Sequence, residues 1–177
     1  MSYDGVFLDN STVRFERLLP GPIGRVWDYL TKSEFLEAWL AGVEGDWRPG
    51  GEITLSFTFS AQDDCGDSSA TAVVEEYDPP RLLSYTWREV DSQGRERSAS
   101  IVRFELASEG DDVRLILTHR KLSAAEMPGF GAGWDSHLHY LAARLGGKTV
   151  RPFSEIFEPA LAFYSILAKQ LGVSHGQ

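Results

Sequence analysis

The sequence predicts an α+β domain in which a curved antiparallel sheet wraps around one long helix near the C-terminal end of the chain. Between residues 50 and 120, apolar and polar residues alternate in about five consecutive runs, which is typical of strands with one buried face. Residues 131–147 then place apolar residues at helical spacing. Because both elements present an apolar surface, we expect the sheet to close around the helix.

The long helix is predicted from four large apolar residues at steps of four, three and four: Trp134, Leu138, Leu141 and Leu145. On the opposite, polar face, Asp135 and His139 lie four residues apart and predict an ion pair on the surface. Pro128 and the glycines after it indicate an irregular approach to the helix. Gly146 and Gly147 predict a left-handed stop at its C-terminal end.

The predicted sheet has six to seven strands. Residues 11–19 form the first strand, which ends at the proline-rich turn 20–22. The adjacent Val73 and Val74 leave the faces of the 70–77 strand open, and parity directs His119 inward on the last strand. The clearest strand alternates polar residues with four apolar ones: Ile53, Leu55, Phe57 and Phe59.

Three further helices are predicted around this framework. Two short ones follow the first strand, at residues 23–30 and from Thr31 to Leu40, where Thr31 and Glu34 match a capping box. One more helix is expected from Pro159 to Gly172. We divide the chain into a domain at 1–147 and an extension at 148–177, whose helix docks on the same domain or, in a homodimer, on a partner subunit.

Composition narrows the classes of partner and compartment. The formal net charge of −9 over 177 residues disfavours nucleic acid and anionic membranes, because both would repel the chain. A single cysteine, Cys65, excludes an internal disulfide and suits a reducing compartment. With no signal-peptide pattern at the start and no apolar run long enough to span a bilayer, the expected location is the cytoplasm.

Five short motifs, in order between residues 11 and 147, resemble the domain related to the C-terminal part of the Hsp90 ATPase activator, in the START-like (SRPBCC) superfamily. They are Val26-Trp27-x-x-Leu30-Thr31 followed by Trp39, then Arg48-Pro49-Gly50-Gly51, then Asp78-Pro79-Pro80-x-x-Leu83 with Trp87, then Leu117-Thr118-His119, and finally Gly133-Trp134-x-x-x-Leu138-x-x-Leu141. The resemblance implies a helix-grip fold, as in the birch-pollen-allergen group, with an apolar cavity between sheet and helix. Residues 148–177 lie outside it.

The candidate site is therefore the space between the sheet and the long helix, because a strongly curved sheet and a straight helix do not fill each other completely. Buried at the end of its strand, His119 either ties the sheet to the helix or orients a ligand carbonyl or phenol. The predicted ligand-binding residues are Trp39, Phe57, Phe59, Tyr85, Trp87, Phe104, His119, Trp134, Leu138 and Leu141.

Three functions fit this sequence. The first is a non-enzymatic protein that binds a small hydrophobic or aromatic ligand. The second is an enzyme resembling polyketide cyclases and aromatases, with His119 and Tyr85 moving protons. The third is association with a chaperone, which we do not favour because the related activator carries a separate chaperone-binding domain. We find no catalytic motif and expect no cofactor and no metal, since His137 and His139 point in nearly opposite directions on a helix.

Overall fold

The computed structural model of the chain describes residues 2–57, 68–90, 96 and 98–173. Within them, eight strands form one antiparallel sheet in the order β1-β2-β8-β7-β6-β5-β4-β3. The strands are β1 (Val6–Phe7), β2 (Val13–Pro20), β3 (Gly42–Gly45), β4 (Glu52–Phe57), β5 (Ser68–Asp78), β6 (Leu82–Val90), β7 (Ser100–Glu109) and β8 (Asp112–Arg120). The helices are α1 (Ile23–Thr31), α2 (Ser33–Leu36), α3 (Met127–Leu145) and α4 (Phe153–Gln170).

The architecture is the predicted α+β helix-grip fold, with eight strands where six to seven were expected. Strands β1 and β3 have two and four residues and cap the two edges of the sheet. The predicted Phe59 and Cys65 lie outside the described residues. Between Val74 and Glu76 the β5–β6 register shifts, and Val74 is 1% exposed while the neighbouring Val73 is 40% exposed. Burial alternates regularly from Ala70 to Val74, so the faces of the strand were left open because Val73 is an apolar residue on the exposed face.

The two short helices are confirmed, but their predicted cap is wrong. Helix α2 begins at Ser33 after an N-cap at Lys32 that makes no side-chain hydrogen bond. The Thr31 hydroxyl instead donates to the Trp27 carbonyl at 3.0 Å, one turn back in α1. The second helix also ends at Leu36 rather than at Leu40. Hydrogen bonding of threonine within its own helix therefore competed successfully with capping of the next helix.

The long helix α3 begins four residues before the prediction. Pro128 lies in its first turn, where its missing N–H has no helical partner to lose. Gly131 is a close-packing position, since a Cβ there would lie 2.9 Å from Cγ of Tyr164 on α4. At the other end Gly147 has φ of 65°, as the predicted stop requires. The glycines that suggested an irregular approach thus lie inside the helix.

The C-terminal helix begins at Phe153, six residues before the expected start at Pro159, which lies inside α4. The first turn is stabilised by packing, because the Phe153 ring lies 4.9 Å from the His137 ring of α3. Contacts of this kind offset the hydrogen bond that an internal proline removes. The helix packs on α3 of the same chain through a stripe of buried residues: Ile156, Ala160, Tyr164 and Ala168. A homodimer through this helix stays a prediction.

Candidate functional site

The concave face of the sheet carries a cluster of aromatic side chains beneath α3. Strand register places Tyr85 opposite Val102 and Trp87 opposite Ser100, so alternate residues of β6 and β7 point to the same side. Trp134 of α3 contacts these rings from the helix side. We call the following residues the aromatic cluster: Trp47, Phe57, Tyr85, Trp87, Phe104, Phe130 and Trp134.

Trp87 lies at the centre of the aromatic cluster. Its ring centroid is 5.6 Å from that of Trp134, 5.5 Å from that of Phe57 and 6.5 Å from that of Tyr85. These separations are typical of favourable aromatic pairs. The Trp87 indole N–H donates to a Glu89 carboxylate oxygen at 3.3 Å. The sheet and the helix therefore meet through aromatic rings, and polar groups enter only at a few defined points.

Most of the predicted site residues come together here, and some do not. Phe57, Tyr85, Trp87, Phe104, His119 and Trp134 form one contiguous group. Trp39 lies apart from it, with its indole N–H donating to the Tyr29 carbonyl at 2.8 Å. Leu138 and Leu141 are fully buried further along α3.

Two members of the aromatic cluster were missed. Trp47 lies in the turn between β3 and β4, and its ring centroid is 5.9 Å from that of Tyr85. Phe130 lies in α3, and its ring centroid is 4.5 Å from that of His119. Phe130 precedes Trp134 by four residues, so the same helical spacing would have identified it if the helix had been started earlier. No comparable periodicity marks Trp47, because it lies in a turn.

His119 is completely buried and hydrogen-bonded on both sides. The Trp134 indole N–H donates to His119 Nδ1 at 2.9 Å, so the imidazole proton lies on Nε2. That nitrogen is 2.6 Å from the Ser100 hydroxyl, which lies 3.3 Å from the Trp87 carbonyl oxygen and can donate to it. Burial lowers the pKa of His119 from 6.5 to about 3. The ring is therefore neutral and links β6, β7, β8 and α3.

Tyr85 differs from His119 because its polar group lacks a partner. The residue is 2% exposed, and no described residue hydrogen-bonds its hydroxyl, although that oxygen, unlike the Ser84 hydroxyl, is not fully enclosed. Burial raises the pKa of this phenol above its ordinary value of 10.0, so it stays protonated. The surrounding rings of Trp47, Trp87 and Phe104 supply only apolar and aromatic contact. The hydroxyl is thus a hydrogen-bonding group placed within an apolar region.

A second buried polar group lies on the other side of α3, and it corrects the predicted surface ion pair. Asp135 is 3% exposed and accepts hydrogen bonds from the Arg17 guanidinium at 2.9 Å and from the Tyr164 hydroxyl at 2.5 Å. Arg17 also pairs with Asp4, and the Gly5 N–H donates to the Tyr164 oxygen at 2.9 Å. Burial raises the pKa of Asp135 and lowers that of Arg17. Helix α4 converts this face of α3 from surface to interior.

The surface bears a depression of about 680 Å³ along the turn between β3 and β4. It is lined by Gly45, Asp46, Arg48, Gly50 and Glu52. This depression is open and polar, so it is distinct from the cavity that the resemblance implies. Its lining residues flank Trp47 in the sequence, but Trp47 itself is not one of them.

The described residues contain neither a cluster of metal ligands nor a helix that could cross a membrane. No three histidine, cysteine, aspartate or glutamate side chains among them are grouped so that they could hold a metal ion. No helix that the structure describes is both long and apolar enough to cross a membrane.

Comparisons with known proteins agree with this architecture. The sequence profile described as "Activator of Hsp90 ATPase homolog 1-like protein" matches residues 20–146. A protein from Bordetella parapertussis, solved by solution NMR, is 35% identical in sequence, with a TM-score of 0.76 over 93% of this chain and 90% of that one. Among curated proteins, no sequence matches significantly.

Two more distant structures share the fold. CalU16 from Micromonospora echinospora is 23% identical, with a TM-score of 0.70 over 89% of this chain and 88% of that one. DynU16, a protein in the dynemicin biosynthetic locus, is 20% identical, with a TM-score of 0.65 over 81% of this chain and 49% of that one. With its helix-grip architecture and the profile match across most of its length, this chain belongs to the activator of Hsp90 ATPase homolog 1-like family, in the START-like (SRPBCC) superfamily.

Proposed function

We propose that the protein binds a small, uncharged aromatic or hydrophobic molecule between the sheet and α3, against Tyr85 and Trp87. The observation that carries this proposal is the Tyr85 hydroxyl, which lies among aromatic rings without a hydrogen-bond partner among the described residues. A tyrosine hydroxyl in such surroundings normally finds a partner. Unlike the Ser84 hydroxyl this oxygen is not fully enclosed, so a ligand that supplies one hydrogen-bonding group can reach it.

The charges around the site support an uncharged ligand. Arg17, a cation on the concave face, is already bound to Asp135 and to Asp4. Among the described residues, the charged side chain that hydrogen-bonds a ring of the aromatic cluster is an acid, Glu89, which accepts from Trp87. A carboxylate ligand would therefore meet repulsion from Glu89 and gain no cation among these contacts. A planar neutral molecule would instead stack on the rings.

The hydrogen bonds of His119 favour a ligand-binding function over a catalytic one that needs proton transfer. Its Nδ1 accepts from Trp134 and its Nε2 lies on Ser100, so neither ring nitrogen faces a ligand in this arrangement. Its role is to fix the indole of Trp134, one wall of the site. The cyclase-like alternative would need proton transfer through Tyr85 alone, and burial raises the pKa of that phenol.

The test uses N-phenyl-1-naphthylamine, a neutral dye that fluoresces in apolar surroundings, together with its sulfonated analogue, which is an anion. We expect the wild type to bind the neutral dye more tightly than the sulfonate. Tyr85→Phe changes affinity for hydroxyl-bearing naphthols, whereas Tyr77→Phe, a control on the neighbouring strand against Trp27, leaves it unchanged.

A second measurement avoids the choice of dye. Native mass spectrometry of protein purified without added ligand should show a bound mass that dissociates on activation. The proposal fails if the wild type carries no such mass and binds neither dye. Equal effects of the Tyr85 and Tyr77 substitutions would also remove the Tyr85 hydroxyl from the site.

A further inference from the structure

We infer that Trp47 is the gate of this site, a side chain that rotates on a fixed turn to let a ligand pass from solvent to Tyr85. The inference rests on the proposed function, because it concerns the route into the same site. It adds a residue that the family motifs do not include and a location for the opening. Three observations support it: a rigid backbone, an unanchored indole and a half-exposed position over the buried Tyr85 ring.

The backbone of the turn is fixed. The Gly50 N–H donates to the Val74 carbonyl at 2.8 Å, and the Val74 N–H donates to the Gly51 carbonyl at 2.9 Å, so the turn is bound to β5 in both directions. A Cβ on Gly51 would lie only 2.1 Å from the Asp46 carbonyl oxygen. The turn is therefore as tight as a glycine allows. We do not expect the whole loop to move when a ligand enters.

The Trp47 side chain, in contrast, is held by packing alone. It is half-buried, and its indole N–H makes no hydrogen bond with any residue in the described part of the chain. Trp39, Trp87 and Trp134 differ, since their indoles donate at 2.8, 3.3 and 2.9 Å. Rotating Trp47 away from Tyr85 breaks aromatic contact without leaving a buried donor unsatisfied.

Trp47 covers part of Tyr85 on the solvent side. The indole is half-buried, so part of it reaches solvent, and its ring contacts the 2% exposed Tyr85 with ring centroids 5.9 Å apart. The nearby depression is lined by the sequence neighbours Asp46 and Arg48 but not by Trp47 itself. Rotation of this one side chain would open a path from solvent to the Tyr85 ring.

Stopped-flow fluorescence with N-phenyl-1-naphthylamine measures the gate directly. Breaking one aromatic pair opens the gate, so Trp47→Ala should raise the association and dissociation rate constants together by about two- to tenfold. The dissociation constant should then change little, because both rates share the same barrier. Trp47→Phe, which keeps a smaller ring against Tyr85, should give intermediate rates. Arg48→Ala, on the exposed rim of the depression, should match the wild type.

The outcomes separate the two proposals. If the wild type binds the dye and Trp47→Ala leaves both rate constants unchanged, the gate is refuted while the binding function stands. An increase in the dissociation rate alone would show that Trp47 is a wall of the site, which also overturns the gate. If the wild type binds neither dye nor a cellular ligand, both proposals fail. Circular dichroism and the thermal midpoint establish that each variant is folded.

Discussion

Acid should destabilise this protein through two buried histidines, His119 and His137. Burial lowers the pKa of His119 to about 3 and that of His137 to about 4, from an ordinary value of 6.5. His137 is 8% exposed, and its Nδ1–H donates to the Trp39 carbonyl at 2.8 Å. Both rings are therefore neutral in the folded protein near neutral pH. On unfolding, each returns to water and takes up a proton once the pH is below 6.5.

These pKa values give the direction and the magnitude of the loss of stability in acid. Because the unfolded chain binds more protons than the folded one between pH 6.5 and about 4, the free energy of unfolding falls as the pH falls. From pH 7 to pH 5 each histidine contributes a loss of about 2 kcal/mol, so the pair removes about 4 kcal/mol. That is a large part of the roughly 5–15 kcal/mol that stabilises a typical domain. For His119 a folded-state pKa one unit higher would change the result little, since pH 5 is still above it.

Urea unfolding at a series of pH values, followed by tryptophan fluorescence, measures this loss. Between pH 7 and pH 5, the loss of unfolding free energy should be about 2 kcal/mol smaller in His119→Asn than in the wild type, and likewise in His137→Asn. Subtracting the pH dependence of each variant from that of the wild type cancels the contribution of the carboxylates. These include Asp135, whose pKa is raised by burial. His139→Asn is the control at a partly exposed position on α3 and should reduce the change by less.

The reasoning would be refuted if the wild type lost no stability between pH 7 and pH 5. It would also be refuted if the His119 and His137 variants kept the full pH dependence while remaining folded. Either result would mean that the imidazoles are protonated in the native state, or that they are hydrated well enough to titrate normally.

Three substitutions test the packing around the sheet and helices, with the thermal midpoint as the common measurement. Ser84→Ala should stabilise the fold by about 1 kcal/mol, because the buried Ser84 hydroxyl has no hydrogen-bond partner among the described residues; a lower midpoint would contradict this. Tyr164→Phe should destabilise it by about 1–3 kcal/mol, since Asp135 and the Gly5 N–H both lose a partner, and an unchanged midpoint would show that water replaces the hydroxyl. Gly131→Ala should cost about 1–3 kcal/mol through contact with the Tyr164 ring, despite the better helix propensity of alanine, and a rise in midpoint would mean that α4 shifts easily.

The sequence predicted the elements whose residues alternate or repeat with a clear period. Strands β4 and β6 to β8, and the apolar stripe of α3, all have one face toward the core, and their patterns predicted the fold class. Strands β1 and β3 are too short to show alternation, so they were missed. The start of α3 was misplaced because Pro128 and the glycines after it are usually read as breakers, although a proline in the first turn does not interrupt a helix.

The buried charge on α3 could not have been predicted from periodicity. Asp135 lies between β2 and α4, where Arg17 and Tyr164 both hydrogen-bond it, so its burial depends on α4 as well as on the sheet. Its partner Arg17 alternates with apolar residues on β2, which is a weak sign of an inward cation. Pairing of the two requires the three-dimensional arrangement. The same limit applies to Trp47, whose contact with Tyr85 depends on how a turn folds onto the sheet.

The position of α4 limits how the domain can accommodate a guest molecule. With the sheet on one side and α4 on the other, and with Asp135 bonded to Arg17 and Tyr164, α3 has little freedom to move outward. Under the proposed function, space for a bound molecule would then come from the strands and from the turn that carries Trp47. Shortening side chains of β4 to β6 should therefore enlarge the range of molecules accepted, whereas changes on the outer surface of α4 should alter stability alone.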